Sequence, residues 1–131
     1  KLMRRFTDGA DALLDEVGLA RLANQSADNL SYGHKRALEL ALALALEPKL
    51  LLLDEPTAGM GLEDVDRTVA LVDRIRAGRT VVMVEHNMSV VASLADTVTV
   101  LQRGEVLVEG PYDQVRSDPR VIEAYLGADV A

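Results

Sequence analysis

The sequence contains no cysteine, no tryptophan and few aromatic residues, with three tyrosines and one phenylalanine among 131 positions. Without cysteine, neither a disulfide framework nor a thiolate metal site can form. The shortage of aromatic rings leaves few platforms on which bases or sugars could stack. No apolar run approaches the ~20 residues that a membrane-spanning helix needs. What remains, at 49% hydrophobic and 27% charged residues, is typical of a globular chain of about one domain.

Basic residues are also in the minority. The chain has 14 lysines and arginines against 21 aspartates and glutamates, a formal net charge of -7. Because phosphate contacts along a nucleic acid need clustered basic side chains, this balance argues against a broad nucleic-acid-binding face. We therefore expect no nucleic-acid partner.

The stretch from Leu50 to Gly61 places two acids directly after four leucines. Four consecutive apolar residues predict a strand covered on both faces, as in a parallel sheet of an α/β domain. Asp54 and Glu55 would lie at the carboxyl end of this strand, where open α/β sheets bind ligands, and Pro56 would end it. The stretch is compatible with a site for a metal and a water, and also with a solvated acidic turn.

Two helices are predicted before this strand. Apolar spacing over residues 8–23 indicates an amphipathic helix, broken at Gly18, with Asp8 as its N-cap. The segment from Lys35 to Leu46 alternates leucine with other residues, as a strand would. However, its alanine, leucine, glutamate, lysine and arginine are strong helix formers, and it has no β-branched residue, so we predict a helix. Since alanine and leucine occupy every face from residue 40 to 46, this part should be buried nearly all round.

A βαβ unit is predicted next. A helix ending at Gly78 is followed by a second apolar strand, Thr80 to Glu85, which should lie parallel to the first and present His86 at the same sheet edge. Residues 98–101 and 106–108 then predict an antiparallel hairpin that turns at Gly104. Two short helices follow, the second capped by Asp118 and ending at Gly127.

Leu30 to His34 precedes the alanine- and leucine-rich helix. A serine and a glycine at a helix start offer backbone N–H groups and room for an anion, which favours a phosphate site. Taken alone, however, the same residues are better explained by an ordinary serine N-cap beside a tolerated glycine.

The order of these elements resembles the ATP-binding cassette family of P-loop ATPases. Leu-Ser-x-Gly comes first, then an apolar strand ending in Asp-Glu-Pro, then a strand followed by histidine. The resemblance implies an α/β fold, the C-terminal part of a P-loop NTPase domain, with parallel strands and helices followed by an antiparallel hairpin and short helices. Residues 1–48 would be part of the helical subdomain with the signature motif and its helix. Residues 49–131 would be the C-terminal part of the ATPase core.

The resemblance also implies ATP and Mg²⁺ as cofactors, and a role for each motif. Asp54 would hold Mg²⁺ through a bound water, Glu55 would act as general base on the attacking water, and His86 would contact the γ-phosphate or that water. The signature motif would bind the γ-phosphate of a nucleotide held by a second subunit. The signature motif comprises Leu30, Ser31, Tyr32, Gly33 and His34. The family also has a loop after the strand that ends at Asp54, and here it comprises Ala58, Gly59, Met60 and Gly61.

Three departures from the family pattern stand out. His34 replaces the usual glutamine of the signature, which we expect to change a helix-surface contact. Gly61 replaces the usual aspartate of the loop, so a side-chain contact across subunits is lost there. The phosphate-binding sequence G-x-x-x-x-G-K-[ST] is absent from the 131 residues. We expect the chain to be a C-terminal fragment of an ATPase that is inactive alone, and a non-catalytic interaction fragment is the alternative.

Four segments resemble the ATPases of branched-chain amino-acid importers: Leu-Ser-Tyr-Gly and residues 54–60, 84–88 and 120–127. This resemblance implies an energy-coupling subunit at the cytoplasmic face of the bacterial inner membrane. Its partners would be a second ATP-binding subunit, identical or related, permease subunits and, indirectly, a solute-binding protein. The alternatives are an importer ATPase for urea, another amide or another amino acid, and a cassette ATPase acting on nucleic acid or ribosomes.

Overall fold

The computed structural model describes residues 2–126, and the side chains of residues 9–125. They divide into two compact units, residues 2–85 and 86–126. The boundary predicted at residue 48 rests on motifs and remains a prediction. Among residues 2–126, no helix combines the length and apolarity that crossing a bilayer would require.

The first unit contains three α-helices, two short 3₁₀ helices (Ala20–Leu22 and Ala27–Asn29) and a two-stranded parallel sheet. The α-helices are α1 (Leu2–Glu16), α2 (Tyr32–Leu44) and α3 (Leu62–Ile75), and the strands are β1 (Leu50–Asp54) and β2 (Thr80–Val84). The strands pair in register from Leu50 opposite Thr80 to Asp54 opposite Val84. The parallel βαβ unit is therefore confirmed. The helix over the leucine-alternating segment is also confirmed, because side-chain helix propensity outweighs a period-two pattern there.

Two helix predictions are corrected. Asp8 lies inside α1, which already begins at Leu2, so Asp8 is not an N-cap. The second half of α2 is not buried all round: Leu40, Ala41 and Leu44 are buried, whereas Leu42 is 65% exposed and lies on the open side of the helix. An alanine and leucine composition permits burial on every face, but burial needs neighbours on every face. Gly18 has the left-handed φ of +77° that ends α1 as predicted.

The predicted burial of β1 on both faces is also wrong within the described chain. Leu51 and Leu53 are buried, but Leu50 and Leu52, on the opposite face, are exposed. The neighbouring strand β2 has the same sidedness, with Val82 and Val84 exposed beside them. Apolar residues on both faces of a strand allow both faces to be buried. In this unit, however, the other elements cover only one face of β1.

The second unit contains α4 (Met88–Leu94), the hairpin of β3 (Val98–Gln102) and β4 (Glu105–Gly110), α5 (Tyr112–Arg116) and α6 (Pro119–Val121), which continues into a π-helical turn, Ile122–Leu126. The antiparallel pairing is confirmed, with Arg103 and Gly104 both at positive φ in the turn and a register shift between Val100 and Leu101. Asp118 caps α6 by accepting from Arg120 N, as predicted. The predicted helix end at Gly127 lies outside the described residues.

Candidate functional site

Two acids end β1. Asp54 is the last residue of the strand and pairs with Val84 of β2, and Glu55 follows it in a left-handed backbone conformation, with φ of +44°. Glu55 N donates a hydrogen bond of 2.8 Å to Val84 O, so the backbone bonding between the strands extends one residue past β1. Both acids are exposed. The structure therefore places them side by side at the carboxyl edge of the sheet, as the sequence predicted.

The residues after Glu55 form a tight loop, which we call the acid loop (residues 54–61). Ala58 N donates to Glu55 O at 3.1 Å, and Met60 N donates to Thr57 O at 3.3 Å. Gly59 takes a φ of +72°, which a glycine adopts without strain. Gly61 is the N-cap of α3 and has no side chain to contribute. The loop thus turns the chain from β1 directly into α3.

A buried threonine ties this loop to β2. Thr57 is 6% exposed, and its backbone N donates a 3.0 Å hydrogen bond to Glu85 Oε1. Its hydroxyl donates to the same carboxylate oxygen. Glu85 is the residue directly after β2, so one carboxylate joins the loop after β1 to the end of the neighbouring strand. Sequence analysis missed this pair because nothing in the sequence links two polar residues 28 positions apart.

The predicted phosphate site begins α2. The side-chain oxygen of Ser31 accepts a 3.3 Å hydrogen bond from His34 N, so Ser31 is the N-cap of this helix. Gly33 packs against α3: a Cβ built at Gly33 would lie 2.9 Å from the Asp64 carboxylate carbon. Leu30 closes the 3₁₀ turn that precedes the helix. Any side chain at residue 33 would therefore require the Asp64 carboxylate to move.

Tyr32 connects α2 with the acid loop. Its hydroxyl donates to Ala58 O at 3.3 Å and accepts from Arg36 Nε and Nη2 at 3.2 and 3.1 Å. The Arg36 guanidinium also lies 5.3 Å from the centre of the Tyr32 ring. Hydrogen bonds to two side chains raise the pKa of Arg36 above its ordinary value: bonding to Glu39 has the larger effect, and bonding to Tyr32 the smaller. The signature segment and the acid loop are thus joined within one chain, a contact that spacing alone does not predict.

His86 opens the second unit. It is exposed and lies one residue before Asn87, whose side chain caps α4 by accepting from Ser89 N at 3.1 Å and Val90 N at 3.4 Å. The predicted meeting of His86 with the two acids joins residues of different units and remains a prediction.

The donor set fits a hydrated magnesium ion better than a metal enclosed by protein. Within the described residues, no three His, Asp or Glu side chains converge as a metal cluster. Mg²⁺ keeps several waters and takes one or two carboxylates together with substrate phosphates. The exposed carboxylate of Asp54 at the end of β1 is compatible with binding a hydrated Mg²⁺ ion in this way.

Two family models match the sequence. One, described as "ABC transporter", matches residues 4–58. The other, described as "Branched-chain amino acid ATP-binding cassette transporter", matches residues 105–131.

Similar proteins have related names. The high-affinity branched-chain amino acid transport ATP-binding protein BraF of Pseudomonas aeruginosa is 41% identical over 116 residues, which cover 87% of this chain and 46% of BraF. The corresponding Escherichia coli K12 protein, LivG, is 37% identical over 122 residues, 92% of this chain and 48% of LivG. The chain thus spans about half the length of these curated relatives.

Solved structures agree with this match. The ADP conformation of an ATP-binding cassette of an ABC transporter superposes with a TM-score of 0.84 at 30% identity, over 92% of this chain and 49% of that one. CbiO1 of Clostridium perfringens, part of an ABC transporter complex, gives a TM-score of 0.80 at 27% identity, over 96% of this chain and 52% of that one.

Proposed function

We propose that the chain belongs to the ATP-binding cassette family of transport ATPases and supplies the C-terminal half of an ATP-hydrolysing subunit of a bacterial importer for branched-chain amino acids. Relatives named for that transport support the solute class, as does the match of residues 105–131 to the branched-chain family model. One observation carries the catalytic part: Asp54 and Glu55 end β1 together, with Glu55 held at positive φ by its bond to Val84 O.

The two acids take different tasks in this proposal. Asp54 would hold Mg²⁺ through a water, and the ion would supply neutralisation of the phosphate charge. Glu55 accepts a proton from the attacking water, a task that needs an exposed carboxylate free of direct metal coordination. His86 contacts the γ-phosphate or that water. The signature segment, Leu30 to His34, reaches the nucleotide of a second ATP-binding subunit.

Other parts of the site come from outside these 131 residues. In this proposal another segment supplies the main phosphate-binding loop, since the 131 residues contain no G-x-x-x-x-G-K-[ST] sequence. Permease subunits hold the ATPase at the cytoplasmic face of the inner membrane, and a solute-binding protein delivers the amino acid to them. In this arrangement the chain couples the ATP-driven closure of the two ATP-binding subunits to transport. It makes no contact with the solute.

The replacement Glu55→Gln tests the catalytic proposal in the whole protein that contains this chain together with a phosphate-binding loop. We expect ATP binding to persist and the turnover rate to fall by about 10²–10⁴-fold, the usual contribution of a general base. The matched control is Glu63→Gln, which neutralises an exposed acid in the first turn of α3 that pairs with Arg67. An unchanged turnover rate for Glu55→Gln would overturn the assignment.

The solute class needs a separate measurement. In cells that carry the permease and solute-binding partners, Glu55→Gln should abolish the ATP-dependent uptake of labelled leucine, and Glu63→Gln should leave it unchanged. Uptake of urea or methionine but not leucine would retain the ATPase assignment and reject the branched-chain solute.

A further inference from the structure

The backbone of Glu55 is held away from its relaxed conformation. Its φ of +44° lies in the left-handed region, which non-glycine residues adopt rarely and at an energetic penalty. The bonds from Glu55 N to Val84 O and from Ala58 N to Glu55 O fix both sides of the residue. A strained residue persists only where its surroundings over-determine it, so the contacts that restrain the acid loop determine where the Glu55 carboxylate points.

One side-chain restraint on this loop is the pair of Thr57 and Glu85. Both Thr57 donors, its backbone N and its hydroxyl, reach the single oxygen Glu85 Oε1. Hydrogen bonds to an ionised acceptor are stronger than neutral ones, and the burial of Thr57 keeps water from competing for them. Only Pro56 separates Thr57 from Glu55, and its ring fixes φ of the intervening residue. Thr57 is therefore joined to Glu55 by a short segment in which one backbone torsion is fixed.

We propose that Thr57 and Glu85 are positioning residues that hold Glu55 in its left-handed conformation and so aim its carboxylate. The proposal rests on the catalytic role proposed above for Glu55. Neither residue touches the reacting atoms in this arrangement. Their effect on the reaction passes through Glu55 alone.

A first experiment uses the 131-residue chain itself and needs no activity. The ¹³Cα and ¹³Cβ chemical shifts of Glu55 report its backbone conformation. Glu85→Ala, which removes the acceptor of both bonds, and Thr57→Val, which removes the hydroxyl but keeps the shape, should move these shifts away from left-handed values. Thr57→Ser keeps both donors and should leave them unchanged. If the Thr57→Val chain does not fold, Thr57→Ala, which also removes the hydroxyl, takes its place.

A second experiment measures ATP hydrolysis by the whole protein. We expect Thr57→Val to lower kcat by about tenfold and to change the KM for ATP less than about twofold, because positioning acts on the transition state rather than on binding. Thr57→Ser should restore kcat. In a Glu55→Gln background, Thr57→Val should cause no further loss, since the group that it positions is already gone. A purely structural role would lower the residual rate again and would contradict the proposal.

The two experiments separate this proposal from the proposed function. If the unmodified whole protein hydrolysed no ATP, the catalytic assignment would fail, while the Glu55 shifts would still decide whether the pair holds that residue. If the shifts were identical in the unmodified, Glu85→Ala and Thr57→Val chains, the positioning role would be rejected whatever the ATPase rate.

Discussion

Leu51 and Leu52 are the same residue type at adjacent positions of β1, yet Leu51 is 6% exposed and Leu52 is 69% exposed. Truncating each to alanine removes identical atoms from the same strand, so any difference in stability reports the environment alone. Leu51→Ala leaves a cavity as well as losing burial, and such changes destabilise by about 2.7–5 kcal/mol. We expect a loss in that range in the free energy of unfolding.

For Leu52→Ala the expected loss is much smaller. Full burial of a leucine side chain contributes about 1.5–3 kcal/mol, and roughly a third of Leu52 is covered, so the loss should be about 0.5–1 kcal/mol. No cavity forms, because solvent already reaches the site. The two variants should therefore differ by about 2 kcal/mol or more.

Urea unfolding of the 131-residue chain, followed by circular dichroism, measures both losses. The slopes with denaturant should agree between variants, which shows that the same surface is exposed on unfolding. The measurement is repeated at two protein concentrations, since a second copy on the open face of β1 and β2 would make the loss at Leu52 concentration-dependent. Equal losses for Leu51→Ala and Leu52→Ala, at every concentration, would refute one-sided burial of the sheet.

Two further predictions concern hydrogen bonds made by the side chains of Tyr32 and Asp118. Tyr32→Phe removes the hydroxyl that joins α2 to Ala58 O and should lower the free energy of unfolding by about 0.5–1.5 kcal/mol; an unchanged urea midpoint would show that the contact contributes nothing. Asp118 accepts side-chain and backbone hydrogen bonds from Arg120, which lower its pKa from 3.8 to about 2. The pKa of Asp118 is lower in the folded chain than in the unfolded chain. The contribution of Asp118 to folding stability is therefore present above pH 3.8 and is lost as pH falls through about 2. An NMR titration of the Asp118 carboxyl carbon with a midpoint near 3.8 would contradict this, and Asp118→Asn should reduce the stability change over that range.

Much of the fold could be predicted because local signals and tertiary structure agree. Gly104 in the hairpin turn and the Asp118–Pro119 helix start are set by backbone chemistry that acts within a few residues. The placement of Asp54 and Glu55 after an apolar strand likewise follows from sequence order, because parallel strands put their carboxyl ends at one edge. These elements need no knowledge of distant contacts.

The sequence by itself thus determined the element types and their order. Only the tertiary structure decided which face of β1 is covered, that Gly33 packs against the Asp64 carboxylate, and that Thr57 and Glu85 share hydrogen bonds across 28 positions. The physical reason is the distance along the chain over which each interaction acts. Turns, caps and helix propensity act over a few bonds, whereas burial and the left-handed backbone of Glu55 depend on which distant segments meet.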